Sequence, residues 1–261
     1  MNEVLKVQSV TDKLHIWEDA KANIDSLNFK LKHLENDTDV LLLPEMFSTG
    51  FSVGKEGLAE NMDGQTIRWM LEKASEKNCL IMGSVLIKDD NKFFNRLIVA
   101  YPDGHLLHYD KRHLFSYAGE DKVFAKGTKK LIFSHKGFRI CPLICYDLRF
   151  PVWSRNDENY DVLIFVANWP SPRIKAWDTL LKARSIENLC YTIGLNRVGI
   201  DNNKLNYPGH SAVYDSFGEC LLSFEENEEG IKSVILEKKA LQATRDKFSF
   251  LEDRDDFTIN L

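Results

Sequence analysis

The sequence predicts one α/β domain in which helices pack on mixed β-sheet. Three observations predict it. The 261 residues, 44% apolar and 28% charged, have a globular composition. Short apolar runs of strand length alternate with segments of helical period. Neither a Pro-, Gly- or Ser-rich linker nor an internal repeat divides the chain. At ~150 residues per domain the length gives about 1.7 domains, which one large α/β unit satisfies.

Val4 to Val10 alternates in the manner of a strand, and Trp17 to Leu34 sets Ile24, Leu27, Leu31 and Leu34 at helical intervals. Asp39 to Pro44 is a continuous apolar run ended by proline, the pattern of a strand buried on both faces. A helix follows from Thr66 to Lys77. Strands then follow at Cys79 to Ile87, Phe93 to Tyr101 and His105 to Tyr109, the last two joined by a Pro102-Asp103-Gly104 turn, and such a series pairs antiparallel. Lys130 to Ser134 and Phe138 to Ile144 form a hairpin about Lys136-Gly137. Asp161 to Ala167 is a second buried strand, and Ile174 to Leu189 a helix with Leu180, Leu181, Ile186 and Leu189 near one face. Strands return at Tyr191 to Val198, Ser211 to Tyr214, Glu219 to Phe224 and Lys232 to Leu236, before a charged tail from Lys247.

Composition removes several classes of function. A net charge of −5 and a pI near 5.8 argue against a nucleic-acid partner. Glu3, Asp12, Glu18 and Asp19 interrupt any export signal, and no apolar run approaches the roughly 20 residues of a membrane helix, so a soluble, cytoplasmic protein without a membrane partner is expected. Five cysteines without a CxxC pair suit a reducing compartment and leave at least one thiol unpaired. The seven histidines form neither HxH nor HExxH, and His105 and His108 fall on opposite strand faces, so no metal is expected. Without a GxGxxG or Walker loop, no nucleotide cofactor is expected either.

Three strands end abruptly in a reactive or polar residue, at Leu43-Pro44-Glu45, Leu143-Ile144-Cys145 and Val166-Ala167-Asn168. Ligands of α/β sheets bind beyond strand carboxyl ends, so these tips are candidates to converge on one pocket. By spacing alone, Glu45 is equally a solvated loop residue and Cys145 a small core residue.

The segments LLLPEMFSTGF, YDKRHLFSYAGE and ICYDLRFPVWSR, in this order, resemble the nitrilase or carbon–nitrogen hydrolase superfamily. The resemblance runs from Val4 to about Leu236. PEMFSTGFS, CYDLRFPVW and FSFLEDRDDF make it most similar to ω-amidases acting on 2-oxoglutaramate and related α-keto acid amides. It implies a four-layer αββα sandwich over 1–246, a tail at 247–261 that crosses a dimer interface, and a homodimer. It also implies a triad of Glu45, Lys111 and Cys145 with Glu120 in support. Val152 stands where many relatives carry a glutamate, as ω-amidase-like sequences do, and Gly209-His210-Ser211 replaces a common GDS or GGS. His210 reads as a rim residue.

A free thiol, pKa ~8.5, is only a few per cent thiolate at neutral pH and needs a base nearby. An exposed glutamate, pKa about 4.3, is a poor acceptor for its proton, so the reading requires a buried Glu45. The expected cycle has Glu45 take the thiol proton while Cys145 attacks an amide carbonyl. Lys111 and the backbone N–H of Tyr146 steady the oxyanion, ammonia leaves, and water then hydrolyses a thioester on Cys145. Asp147 and Arg149 are expected to pair and fix the cysteine turn. A substrate carboxylate calls for a cation, with Arg173 the first choice, and Phe47, Phe115, Tyr117 and Trp169 are candidate pocket walls. The Phe115 to Asp121 stretch, containing Gly119, is a candidate lid. The partners expected are thus a small amide and water.

Competing readings are a deaminated-glutathione amidase, an N-carbamyl amine hydrolase, a non-catalytic binding relative, and a metal-dependent phosphodiesterase. The last also uses an αββα sandwich but needs an Asp-His pair, which this sequence lacks.

Overall fold

Apolar side chains alternate between two faces of short, β-branched strands, and this alternation builds the molecule. In a computed structural model describing residues 3–13, 19–35 and 37–260, the chain opens with β1 (Val4–Thr11), α1 (Ala20–Lys30) and β2 (Val40–Leu42). Asp19 starts α1 by accepting the Ala22 N–H at 2.9 Å, a side-chain N-cap. The expected helix start at Trp17, like Leu261 of the tail, lies outside the described residues. Then come α2 (Gln65–Lys77), β3 (Leu80–Asp89), β4 (Lys92–Ala100), β5 (Leu106–Asp110) and the single turn α3 (Glu120–Val123). Asn78, left-handed at φ 51°, stops α2.

The second half runs β6 (Phe133–His135), β7 (Phe138–Ile144), α4 (Pro151–Ser154), β8 (Val162–Ala167), α5 (Ile174–Asn188) and β9 (Tyr191–Asn196). It continues as β10 (Val198–Ile200), β11 (Asn206–Pro208), β12 (Ala212–Tyr214), β13 (Cys220–Ser223), β14 (Gly230–Glu237) and α6 (Lys238–Lys247). Neither β11 nor α6 was expected from the sequence. Only Leu241 of α6 is buried, so no apolar period marks it.

Two six-stranded sheets result, ordered β14-β1-β2-β3-β4-β5 and β13-β12-β9-β8-β7-β6. β1-β2-β3 and β7-β8-β9 are parallel, and β3-β4-β5 is the expected antiparallel series. One core lies between the sheets, where Val40, Leu42, Leu97 and Val99 meet Ile140, Ile144, Val166 and Leu195. A second packs α1 and α2 on the outer face of the first sheet through Ile24, Leu27, Ile67 and Met70 against Leu41, Leu43 and Ile81. Outside the second sheet, α5 turns Trp177, Leu181 and Ser185 inward. Ile186, expected on that face, is exposed, because the helical period sets Leu181, Ser185 and Asn188 over the sheet instead. Gly194 of β9 allows the close approach of α5. A Cβ there would stand 2.2 Å from Leu181 Cδ1.

The order helix, sheet, sheet, helix is the αββα sandwich. Among the described residues no helix is long and apolar enough to cross a membrane, and no His, Cys, Asp and Glu cluster is arranged to hold a metal.

Candidate active site

Both sheets send strand tips to one place. Pro44, with no N–H for the ladder, ends the β2 run and presents Glu45. Met46 is left-handed at φ 44° and donates its N–H to Ser84 Oγ at 2.8 Å, which pins the turn to β3. Lys111 follows β5 directly, its N–H on the Asn95 carbonyl at 3.0 Å. In the second sheet, Cys145 follows β7 at φ 44°, a conformation that costs a non-glycine residue energy and persists where surroundings impose it.

Those surroundings centre on Asp147. It accepts from the Ile144 N–H at 3.1 Å, the His113 N–H at 2.9 Å and Tyr109 Oη at 2.8 Å. His113 Nδ1 adds a contact at 2.8 Å. Asp147 thereby ties the turn carrying Cys145 to the strand end carrying Lys111. The expected Asp147–Arg149 pair is absent, because donors from the other sheet already fill the carboxylate.

Glu45, Lys111 and Glu120 are fully buried together. Lys111 Nζ donates to Glu45 Oε1 at 2.8 Å and to both Glu120 oxygens at 3.0 Å. Asn95 Nδ2 reaches Glu45 Oε1 at 2.8 Å and Glu120 Oε1 at 3.2 Å. The Asn168 N–H meets Glu45 Oε2 at 2.7 Å, and the Phe115 N–H meets Glu120 Oε2 at 2.6 Å. Cys145 Sγ lies 4.0 Å from the Asn168 carbonyl oxygen.

Burial opposes the charge of Lys111, but Glu120 and Glu45 outweigh it and hold the ammonium above its ordinary pKa. Burial lifts the Glu120 carboxyl, Lys111 pulls it back and the Glu45 charge pushes it further up, for a net rise. The Cys145 thiol is pushed well up, first by burial and then by Glu45, with Lys111 opposing. Burial and the Glu45 charge thus both favour the neutral thiol. Cys79, Cys141 and Cys190 are buried core thiols and Cys220 is exposed.

A cavity of about 440 Å³ opens above Cys145. Lys111, Tyr146, Phe115, Trp169 and Arg173 line it. Phe47 does not. The left-handed Met46 turns it back under the first sheet, fully buried with its ring 5.8 Å from Trp69, in space left by the missing side chain of Gly83. Tyr117 is also outside the lining, 87% exposed on a 3-10 turn with its ring 5.8 Å from Phe115. Phe115 and Ala118 of the candidate lid are among the lining residues. His210 is not among the lining residues. Its Nδ1 meets Asp178 at 3.1 Å, and its carbonyl accepts from Trp177 Nε1 at 2.9 Å.

Sequence reasoning missed three features. Arg149, freed of Asp147, lines the cavity with its guanidinium 5.0 Å from the Trp169 ring. Arg173 lies 4.8 Å from the Phe115 ring, and among the described residues neither arginine has a carboxylate partner. The β10–β11 connection adds Asp201 and Leu205 to the wall and β11 adds Tyr207, whose Oη donates to Asp201 at 2.9 Å. Asn95 was overlooked, although a polar residue on the face of β4 shared with Leu97 and Val99 was a readable signal.

Comparison with known proteins agrees with this geometry. Residues 6–246 match the carbon-nitrogen hydrolase family model. The chain is 41% identical to an omega-amidase (YafV) of Yersinia enterocolitica over 246 residues, 94% of each protein. It is 30% identical to the 2-oxoglutaramate amidase of Bacillus subtilis over 236 residues, covering 88% of this chain and 90% of that protein. A CN-hydrolase superfamily protein of Xanthomonas campestris, crystallised with an arsenic adduct in its active site, superposes with a TM-score of 0.95. That pair shares 41% identity over 98% of this chain and 99% of the other. A family match over residues 6–246, near relatives and a shared sandwich together place the chain in the carbon-nitrogen hydrolase family, closely related to its ω-amidases.

Proposed function

We propose that this hydrolase releases ammonia from the ω-amide of α-keto acid amides such as 2-oxoglutaramate and 2-oxosuccinamate. The observation that carries the reading is the buried Glu45–Lys111 pair at 2.8 Å beside the buried Cys145 thiol, under a cavity lined by Arg149 and Arg173. The relatives named for ω-amidase and 2-oxoglutaramate amidase activity support the choice of acyl group.

In this mechanism Glu45 removes the thiol proton as Cys145 Sγ bonds to the amide carbon. The carbonyl oxygen becomes an oxyanion, held by Lys111 and the Tyr146 N–H. Collapse breaks the C–N bond, Glu45 returns its proton to the nitrogen, and ammonia leaves a thioester on Cys145. Glu45 then takes a proton from water, whose oxygen attacks the thioester carbon. The acid departs as the thiol recovers its proton. One buried carboxylate thus serves both halves.

The far carboxylate of the substrate rests on Arg149 and Arg173. Trp169 and Phe115 hold the two guanidinium planes by cation–π contact and leave their N–H edges for the ligand. Trp169 is itself fixed by its Nε1 on the Arg173 carbonyl at 2.8 Å.

The hydrolase unit spans 1–246, with 247–261 as an interface tail of a homodimer. Supporting this, Val152, Ile186, Phe217, Phe250 and Phe257 leave large apolar side chains exposed. Size-exclusion chromatography of a chain ending at Lys247 should show a monomer, and an unchanged dimer would remove the tail from the interface.

Ammonia release from 2-oxoglutaramate, 2-oxosuccinamate, deaminated glutathione and an N-carbamyl amine tests the substrate. Fast turnover of the keto-amides is expected. Turnover of another member of that panel without them would overturn the reading.

A further inference from the structure

The buried cluster of Glu45, Glu120 and Lys111 has two carboxylates for one ammonium. One cation cannot neutralise both, so the surplus negative charge must be carried by neutral donors. Among the described residues these are the Asn168 N–H on Glu45, the Phe115 N–H on Glu120, and the Asn95 carboxamide. The first two are backbone groups, each serving one carboxylate. Asn95 is a side chain and serves both, at 2.8 Å from Glu45 Oε1 and 3.2 Å from Glu120 Oε1.

Its position follows from the sheet. Lys111 extends the β4–β5 ladder by one residue, its N–H on the Asn95 carbonyl at 3.0 Å, so the carboxamide and the ammonium leave neighbouring strands side by side. Both reach the same oxygens, Glu45 Oε1 and Glu120 Oε1. The other end of the carboxamide has no partner, since Asn95 Oδ1 is buried without a hydrogen bond. A group that spends both N–H bonds on carboxylates and leaves its carbonyl unpaired is costly for packing. The reverse orientation would aim the carbonyl at two carboxylates, so the charges fix the amide.

We propose that Asn95 is a positioning residue that spans Glu45 and Glu120 and holds Glu45 in place as the proton acceptor for Cys145. The inference rests on the mechanism above and assigns the side chain that lets one lysine serve two buried carboxylates. Donation to the charged form favours that form, so losing Asn95 makes the pair easier to protonate. The titratable groups facing the pair are Lys111, Cys145 and Tyr207. Glu120, whose carboxyl is already raised by burial and by the Glu45 charge against the pull of Lys111, shares the loss.

The test replaces Asn95 by leucine, near in shape and without a donor, and by serine, smaller and still a donor. For Asn95→Leu, kcat should fall about tenfold or more at pH 7 with KM within about twofold. The acid limb of the kcat profile should move up by about one pH unit, and Asn95→Ser should shift it less in the same direction. Urea unfolding supplies a readout that needs no substrate, because the stability lost in Asn95→Leu should be larger at pH 8 than at pH 5, since a charged carboxylate needs the donor more than a protonated one does. An unmoved acid limb, or a stability loss equal at both pH values, would reduce Asn95 to a packing residue. If the wild type hydrolysed no amide of the panel, the substrate reading would fail while the unfolding comparison still decided the role of Asn95.

Discussion

Asn168 grips Glu45 from two directions. Its backbone N–H donates to Glu45 Oε2 at 2.7 Å, and its side-chain Nδ2 donates to the Glu45 carbonyl oxygen at 2.9 Å. Asn168 follows β8 in the second sheet and Glu45 follows β2 in the first, so the proposed base is aimed by the opposite half of the sandwich. Asn168→Ala keeps the backbone contact and loses the other. Leaving the buried Glu45 carbonyl unpaired costs ~1–3 kcal/mol, and a kcat lower by about 10- to 100-fold with little change in KM is expected. Wild-type ammonia release would show that the backbone N–H suffices.

Lys111→Met should unfold more readily as well as lose turnover. Removing one partner of a buried ion pair costs ~3–5 kcal/mol, and here two carboxylates are stranded. Urea denaturation gives the loss. Adding Glu120→Gln should recover part of the stability and none of the activity, which separates the structural role of the ammonium from its chemical one.

The thiol makes a prediction about pH. Burial and then the Glu45 charge raise it well above the ordinary range, so alkylation of Cys145 by iodoacetamide should climb through the alkaline region. Glu45→Gln removes the negative charge. Its alkaline limb should shift to lower pH while turnover falls by roughly 10²–10⁴, the usual contribution of general-base catalysis. Mass spectrometry of the labelled peptide measures both variants, and coincident profiles would contradict the electrostatic account.

Arg149→Ala and Arg173→Ala should each raise KM for 2-oxoglutaramate. A hydrogen bond to a charged group is worth ~1.5–3 kcal/mol, or about 10- to 100-fold. An amide without a carboxylate should show no such change. Equal effects on both substrates would place these arginines in the framework instead.

Acid sensitivity is expected far from the site. Glu229 pairs with Lys13 at 2.7 Å and Lys30 at 2.9 Å. Burial alone would raise its carboxyl, but the two lysines outweigh it and bring the pKa down to about 2. A carboxylate held below its unfolded pKa stabilises the fold above that unfolded value, near 4.5, and stops doing so as pH falls toward 2. Glu229→Gln should therefore be less stable than wild type at pH 7, with the gap closing on acidification. Urea midpoints at pH 7, 4 and 2.5 check the sign.

Strands whose side chains are buried on both faces were the most legible elements. β2, β7 and β8 read directly as apolar runs, and their polar ends mark the three tips that converge. Partnership across the sandwich was not legible. Asp147 and Arg149 stand two residues apart with opposite charges, yet the carboxylate is claimed by Tyr109 and His113 from 34 to 38 positions upstream. Asn95 escaped for the same reason, since its partners Glu45 and Glu120 are 50 and 25 positions away. Phe47 misled because one left-handed residue, Met46, reverses the direction that a side chain near a strand tip would otherwise take.

Glu45 and Lys111 come from one sheet, and Cys145 and Asn168 from the other. During synthesis the sulfur therefore joins the proposed base, its lysine and Asn168 in one fragment only once 168 residues have emerged. The wait is longer still. β1 pairs along its whole length with β14, from Val4 with Glu237 to Thr11 with Gly230, so the first sheet lacks its outer strand until the last one is made. The frame of the proposed site is thus closed by the first and last strands together.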